Sequence, residues 1–220
     1  LAIDQAETPL HDLHVELNRT GSQDAVDLQV GDIRDGKQLS ETLVAFQPDV
    51  VFHAAAYKHV PLMEKQPWQA FETNVLGTQR ATRAAIDAGC ERFVMISTDK
   101  AVNPTSVMGC TKRLAELLVL HEGSKSDVRC VITRFGNVLV SNGSVIPLFK
   151  QQIERGGPIT VTDAEVTRYF MTIPEAVSLV LEASAIGEKN NVFVFDMGES
   201  VRILDLANKM IALAGMEAGR

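Results

Sequence analysis

The residues best equipped for chemistry lie between Ser97 and Lys112, in the run Ser-Thr-Asp-Lys-Ala-Val-Asn-Pro-Thr-Ser-Val-Met-Gly-Cys-Thr-Lys. A hydroxyl (Thr98), a carboxyl (Asp99) and an amine (Lys100) stand side by side, and a second amine follows at Lys112. An acid beside an amine can give one proton and take another, which is the inventory of general acid–base catalysis. The same triplet also reads as a solvated loop pair, and Asn103-Pro104 as ordinary turn chemistry. Met108 and Lys112 are four apart and share one face of any helix that carries them.

Two apolar runs flank the segment and must position it. Arg92-Phe-Val-Met-Ile-Ser97 has the near-continuous hydrophobicity of a buried parallel strand, and Lys112-Arg-Leu-Ala-Glu-Leu-Leu-Val-Leu-His121 is an amphipathic helix. The polar segment is then a strand-to-helix loop at a strand's carboxyl end, where doubly wound sheets bind ligands.

Before it, Leu1-Ala-Ile-Asp4 reads as the tail of a strand already under way, so the chain is expected to begin in mid-fold. Leu10, Leu13, His14 and Leu17 recur at helical spacing, and residues 26–30 form a second strand stopping at Gly31-Asp32. Leu39, Leu43 and Phe46 mark a helix ended by Pro48, and residues 49–53 a third strand leading into Ala54-Ala-Ala56. Pro67 opens and Gly89 closes one long helix. Later come a strand at 128–133, a loop at 134–138, polar Ser141-Asn-Gly-Ser144, a helix at 145–153, short strands at 159–162 and 168–173, a helix from Pro174, a strand at 192–196 and a helix at 203–213.

This alternation predicts an α/β fold, a doubly wound, Rossmann-like parallel sheet covered on both faces. The core is expected over residues 1–140 and 174–198, and a small substrate-binding lobe over 141–173 and 199–220. A chain of 220 residues with 45% apolar content can bury one such core. No run is long and apolar enough to span a bilayer and no signal peptide is visible, so a cytoplasmic chain is expected. The net charge of −7 argues against nucleic acid as a partner, while leaving room for a basic pocket holding a phosphorylated ligand. Cys90, Cys110 and Cys130 are odd in number and lack Cys-x-x-Cys spacing, so neither a disulfide framework nor a metal site is expected.

With Asp4, Asp32-Ile33, His53-Ala-Ala-Ala56, Asn74, Ser97-Thr-Asp-Lys100, Met108-x-x-x-Lys112 and Arg134-Phe-Gly-Asn137 in order, the chain resembles an extended short-chain dehydrogenase/reductase. More narrowly, it resembles the catalytic domain of bacterial UDP-N-acetylglucosamine 4,6-dehydratases of polysaccharide biosynthesis. The most specific stretches are Ser97 to Lys112 and His53-Ala-Ala-Ala-Tyr-Lys-His-Val-Pro-Leu-Met-Glu64. The resemblance implies NAD as cofactor, with NADP disfavoured because a carboxylate at Asp4 suits two ribose hydroxyls and repels a 2′-phosphate. Asp4 would meet the ribose, Asp32-Ile33 the adenine edge, and Ala54, Ala55 and Ala56 would let the backbone approach the dinucleotide. Asn74 would stand among the cofactor-binding residues and order the loop near Lys112, which would itself touch both cofactor and reacting groups. Lys58, Arg134, Asn137 and Arg168 would bind the UDP-sugar, arginine being suited to phosphate by its fork of donors. A homo-oligomer is also expected.

Two departures stand out. The Gly-x-Gly-x-x-Gly turn is missing, so the chain is expected to be a fragment without its first strand, and its two N-terminal strands to re-pair, exchange between molecules or receive a supplied strand. Met108 replaces the family tyrosine, as in the long, membrane-anchored branch, so the parent is expected at the inner membrane with a cytoplasmic catalytic domain. The implied reaction is internal redox: hydride leaves C4 of the sugar, water is lost across C5 and C6, and the hydride returns to C6. Lys100 would remove the C5 proton, Asp99 would donate to the departing hydroxyl, and Thr98 or Lys112 would serve the C4 hydroxyl. A lysine in water titrates near about 10.4, so such a base needs burial or nearby positive charge. The alternatives are a UDP-sugar C4 epimerase and a non-catalytic nucleotide-sugar or dinucleotide binder.

Overall fold

The computed structural model describes residues 1–139 and 144–217. Most of the polar run at 141–144 and the end of the expected lobe, residues 218–220, lie outside the described residues.

Strands β1 (Ala2–Asp4) and β2 (Leu28–Val30) pair in parallel across helix α1 (Glu7–Thr20). Helix α2 (Gly36–Phe46), strand β3 (Val50–His53) and a short helix α3 (Val60–Lys65) follow. A helical rod then runs through α4 (Pro67–Ala70), a π-helical stretch (Phe71–Gly77) and α5 (Thr78–Asp87). Next come β4 (Arg92–Thr98), α6 (Val107–Ser124), β5 (Arg129–Phe135), β6 (Asn137–Val138), α7 (Val145–Glu154), β7 (Thr167–Arg168) and β8 (Phe170–Met171). The described chain closes with α8 (Ile173–Ile186), β9 (Asn191–Val194), β10 (Val201–Arg202) and α9 (Ile203–Leu213).

The main sheet has the order β3-β4-β5-β9, with every neighbouring pair parallel. Successive side chains on a strand point to opposite faces, and β4 shows what that builds. Phe93 and Met95 join a core with Leu39 and Leu43 of α2, Ala81, Ala84 and Ala85 of α5, and Ala115 and Val119 of α6, whereas Val94 joins Val131, Val180 and Ala183 under α8. Phe93, Val94 and Met95 are wholly buried, each contributing about 1.5–3 kcal/mol of hydrophobic stabilisation. The expected α/β sheet, covered on both faces, is present.

Three expectations need correction. The N-terminal strands do not re-pair: β1 stays with β2, β3 with β4, and an apolar cleft of about 390 Å³ lined by Ile3, Leu39, Leu43, Val51 and Phe52 lies between them. The pair holds its place because Leu39 and Leu43 anchor α2 in the main core, with Ile3 and Ile33 packed against it. The long helix from Pro67 is not uniform, since seven of its residues are π-helical, a form that concentrates at functional sites. Residues 159–162 form no strand. The Thr160 amide donates to Gln152 Oε1 instead of to a ladder, and Gln152 Nε2 donates to the Thr160 hydroxyl. Ile159 and Val161 pack with Phe149, Ile203, Ala207 and Phe170 in a separate apolar cluster.

Candidate active site

Strand β4 delivers Thr98, Asp99 and Lys100 to the carboxyl edge of the sheet, where a short 3-10 turn (Asp99–Ala101) begins. The Lys100 amine donates to Asp99 Oδ1 at 2.9 Å and to Asn137 Oδ1 at 3.0 Å. Thr98 Oγ1 donates to the same Asp99 oxygen at 2.9 Å and accepts from the Lys100 amide. The carboxylate and both of its donors are half-buried, so the pair is accessible without being fully solvated.

Helix α6 is seated against this loop. Its first turn is capped twice, by the Ser106 hydroxyl accepting from the Gly109 amide and by Glu64 Oε1 accepting from the Val107 amide at 2.8 Å. Gly109 is required for the fit, because a Cβ there would stand 2.4 Å from the Lys100 carbonyl oxygen. Lys112 follows on the buried face and donates to the Ile96 carbonyl at 2.7 Å. Burial, partly offset by the Glu116 carboxylate, lowers its amine to about 8. Met108 is buried with Met63 and Ala70, packed by Tyr57, Val60 and Val107, so the position of the family tyrosine is part of an apolar cluster.

Arg134, expected as a sugar-nucleotide ligand, is engaged elsewhere: its guanidinium grips Glu116 with two bonds of 2.8 and 2.6 Å. Asn137 is engaged through its carbonyl with Lys100. The segment carrying Arg168 reaches this edge because β6 pairs with β8 and the Asn137 amide donates to the Tyr169 carbonyl. Arg168 donates to its neighbour's carbonyl at Thr167, while nearby Glu165 pairs with Arg202. Lys58 is exposed on the loop after β3.

A second concavity, about 210 Å³, is lined by Asp4, Gln5, Gly31, Asp32, Ile33, Ala54, Ala55, Ala56, Tyr57 and Thr73. Three strand ends thus bring together the residues expected at a dinucleotide. Asp4 Oδ1 accepts from the Ala6 amide at 2.8 Å. Asp32 is bound by Arg34 at 2.6 Å, and that hydrogen bond holds its carboxyl below the usual range. Ile33 sits against Gly77, where a Cβ would lie 2.6 Å from its Cδ1. The volume falls below the roughly 300 Å³ at which drug-sized ligand sites begin, so the cleft is too small to enclose a whole dinucleotide.

Asn74 lies in the π-helical stretch, wholly buried, and works on the loop: its Oδ1 accepts from the Tyr57 amide at 2.7 Å, and its Nδ2 donates to the Tyr57 carbonyl and to Thr111 Oγ1. It was expected among the cofactor residues, and its described bonds go to the protein that shapes the cleft. A candidate the sequence did not single out is its neighbour Thr73, which lines the cleft and whose buried hydroxyl has no partner among the described residues. A threonine in a helix gives no periodic sign of this; only the cleft does. Among the described residues no cluster could hold a metal ion, and no helix is long and apolar enough to cross a membrane.

A sequence profile described as "Polysaccharide biosynthesis protein" matches residues 1–220. The chain belongs to the polysaccharide biosynthesis protein family. It is 48% identical over 216 residues to the probable polysaccharide biosynthesis protein EpsC of Bacillus subtilis (strain 168), covering 98% of this chain and 36% of EpsC. A UDP-glucose 4-epimerase of Rickettsia canadensis is 42% identical over 168 residues, covering 75% of this chain and 49% of that protein. The chain thus spans about a third of the one relative and half of the other. Among solved structures, Pen from Bacillus thuringiensis superposes with a TM-score of 0.89 at 33% identity, covering 98% of this chain and 68% of that one.

Proposed function

We propose that this family member is the catalytic core of a nucleotide-sugar 4,6-dehydratase that acts on a UDP-N-acetylhexosamine, with NAD in the cleft between Asp4 and Thr73. The observation that carries the reading is the Asp99–Lys100 pair held at the sheet edge by Asn137. A proton passing from the Lys100 amine to Asp99 across 2.9 Å converts the ion pair into a free amine and a carboxylic acid. Those are the two forms that removing a proton from C5 and protonating a departing C6 hydroxyl require. The net proton transfer restores the ion pair, so the residues return to their resting state.

NAD, when bound, supplies the acceptor and donor of the hydride that leaves C4 and returns to C6. The residues present fit it: among the described residues the buried Thr73 hydroxyl has no partner and Asp4 uses one carboxylate oxygen on the Ala6 amide, and the three alanines add no long side chain to the cleft. Lys112, fixed on the Ile96 carbonyl at 2.7 Å, adds a second amine beneath the strand end that carries the pair. Thr98, bonded to Asp99, relays the proton of the C4 hydroxyl to water, a task Met108 cannot perform, and a proton from water returns to C5 as the hydride reaches C6. Asn137, Arg168 and Lys58 bind the nucleotide-sugar, and Arg134 positions rather than binds.

The likeness to UDP-glucose 4-epimerase favours a second reading, in which C4 alone is oxidised and reduced. An epimerase needs no acid and base at C5 and C6, and the Asp99–Lys100 pair is what it leaves unexplained. Incubating the full-length protein with UDP-N-acetylglucosamine decides between them. Release of a 4-keto-6-deoxy sugar nucleotide supports dehydration, a C4 epimer as sole product supports epimerisation, and no turnover supports a binding protein.

A further inference from the structure

Glu116 takes no part in the chemistry above, yet it is wholly buried with every acceptor position filled. Its Oε1 accepts from Ser97 Oγ at 2.6 Å and Arg134 Nε at 2.8 Å; its Oε2 accepts from Arg134 at 2.6 Å and Arg113 at 3.0 Å. Burial alone pushes the carboxyl up, but these bonds outweigh it and hold the group below its ordinary range.

Where the arms lead sets this carboxylate apart from an ordinary internal ion pair. Ser97 and Arg134 face each other in the register of β4 and β5. Ser97 directly precedes Thr98, Asp99 and Lys100, and Arg134 stands three residues before Asn137, the partner of Lys100. Lys112 lies one turn before Glu116 on α6 and holds the carbonyl of Ile96, the residue before Ser97. Apolar side chains of similar volume would fasten helix to sheet without the cost of burying charge. A doubly gripped carboxylate adds fixed distance and direction.

We infer that Glu116 is a positioning residue of this site: its carboxylate sets the strand end carrying Asp99 and Lys100, the strand end leading to Asn137 and the helix turn carrying Lys112 relative to one another. The inference rests on reading these residues as an acid–base centre. Glu116 also bears on Lys112 directly. The groups facing that amine are Glu116 on its own helix, the Ile96 carbonyl from β4 and His53 from β3, and burial keeps His53 neutral above about pH 3. Glu116 is therefore the negative charge that supports the protonated amine.

The test uses the full-length protein. Glu116→Gln strands the Arg134 guanidinium in the interior, so the deciding variant is the pair Glu116→Met with Arg134→Met, which removes both charges and keeps apolar volume, an exchange that buried ion pairs commonly tolerate. Thermal unfolding, turnover against pH, and a nitrogen-15 NMR titration of Lys112 are measured on it. The inference expects a folded double variant, turnover down about 100-fold with little change in KM, and Lys112 titrating at lower pH than in the native protein. A folded double variant with turnover within about threefold of native and an unmoved Lys112 titration would make Glu116 a packing residue and overturn the inference. Failure of the double variant to fold would overturn it too, by assigning Glu116 to stability alone. Should the native protein yield no product, the functional reading fails separately, and the Lys112 titration decides this inference without turnover.

Discussion

Lys100 and Asn137, 37 residues apart in the chain, meet at 3.0 Å because β4 and β5 run side by side in parallel and end together. The amine is thereby held between Asp99 and Asn137 at the carboxyl edge of the sheet. The proposed chemistry depends on that contact.

Replacing Asp99 by Asn or Lys100 by Ala in the full-length protein is expected to lower dehydration by about 10²–10⁴-fold with the fold intact, since both are half-buried loop residues rather than core. Product formation and incorporation of solvent deuterium at C5 check this. Near-native turnover with deuterium exchange in either variant would mean that the roles have been given to the wrong residues.

Met108 and Lys112 share a helix face and should differ sharply. Met108→Leu conserves volume in the cluster with Met63 and Ala70 and is expected to cost under about 1.5 kcal/mol of stability, with little effect on rate. Lys112→Ala removes a buried charge beside the site and is expected to cost about 10²–10³-fold in kcat. Urea unfolding and steady-state kinetics on both variants make the comparison; an equal collapse of kcat would give the methionine a chemical part.

Thr73→Val keeps the shape of a buried side chain whose hydroxyl has no partner among the described residues. Without cofactor, stability should hold or rise, because an unsatisfied polar group has been removed. NAD affinity should fall by about 0.5–1.5 kcal/mol, the worth of one neutral hydrogen bond. Calorimetric titration of NAD into both proteins reads the difference, and unchanged affinity would exclude Thr73 as a ligand.

His53 is buried against Phe93 and bonded to the Thr78 hydroxyl at 2.8 Å, and burial followed by the charge of Lys112 lowers its titration from 6.5 to about 3. Between those values the unfolded chain binds a proton that the folded one refuses, so stability is present above pH 6.5 and is lost as pH falls towards 3. The slope from this residue is at most about 1.4 kcal/mol per pH unit. Urea midpoints from pH 7 to 4 should therefore fall less steeply in His53→Gln than in the native protein. Parallel curves would show that His53 is protonated in the folded state.

By itself the sequence determined most of the elements and the loop on which the candidate site lies. The apolar run before Ser97 and the amphipathic run after Lys112 required a loop at a strand's carboxyl end, because periodicity reports which face of an element is buried. It also identified Asp4, Asp32, Ile33 and Ala54 to Ala56, residues that close on one cleft. Periodicity does not report which residue stands opposite which, and the tertiary structure alone decided that. The register placing Ser97 against Arg134 turned an expected ligand into the partner of Glu116, and the packing of the π-helical stretch turned Asn74 towards Tyr57 while leaving the buried Thr73 hydroxyl without a partner among the described residues. Hydrogen bonds between residues distant in sequence depend on distances of a few tenths of an ångström, and only the assembled sheet and helices set those distances.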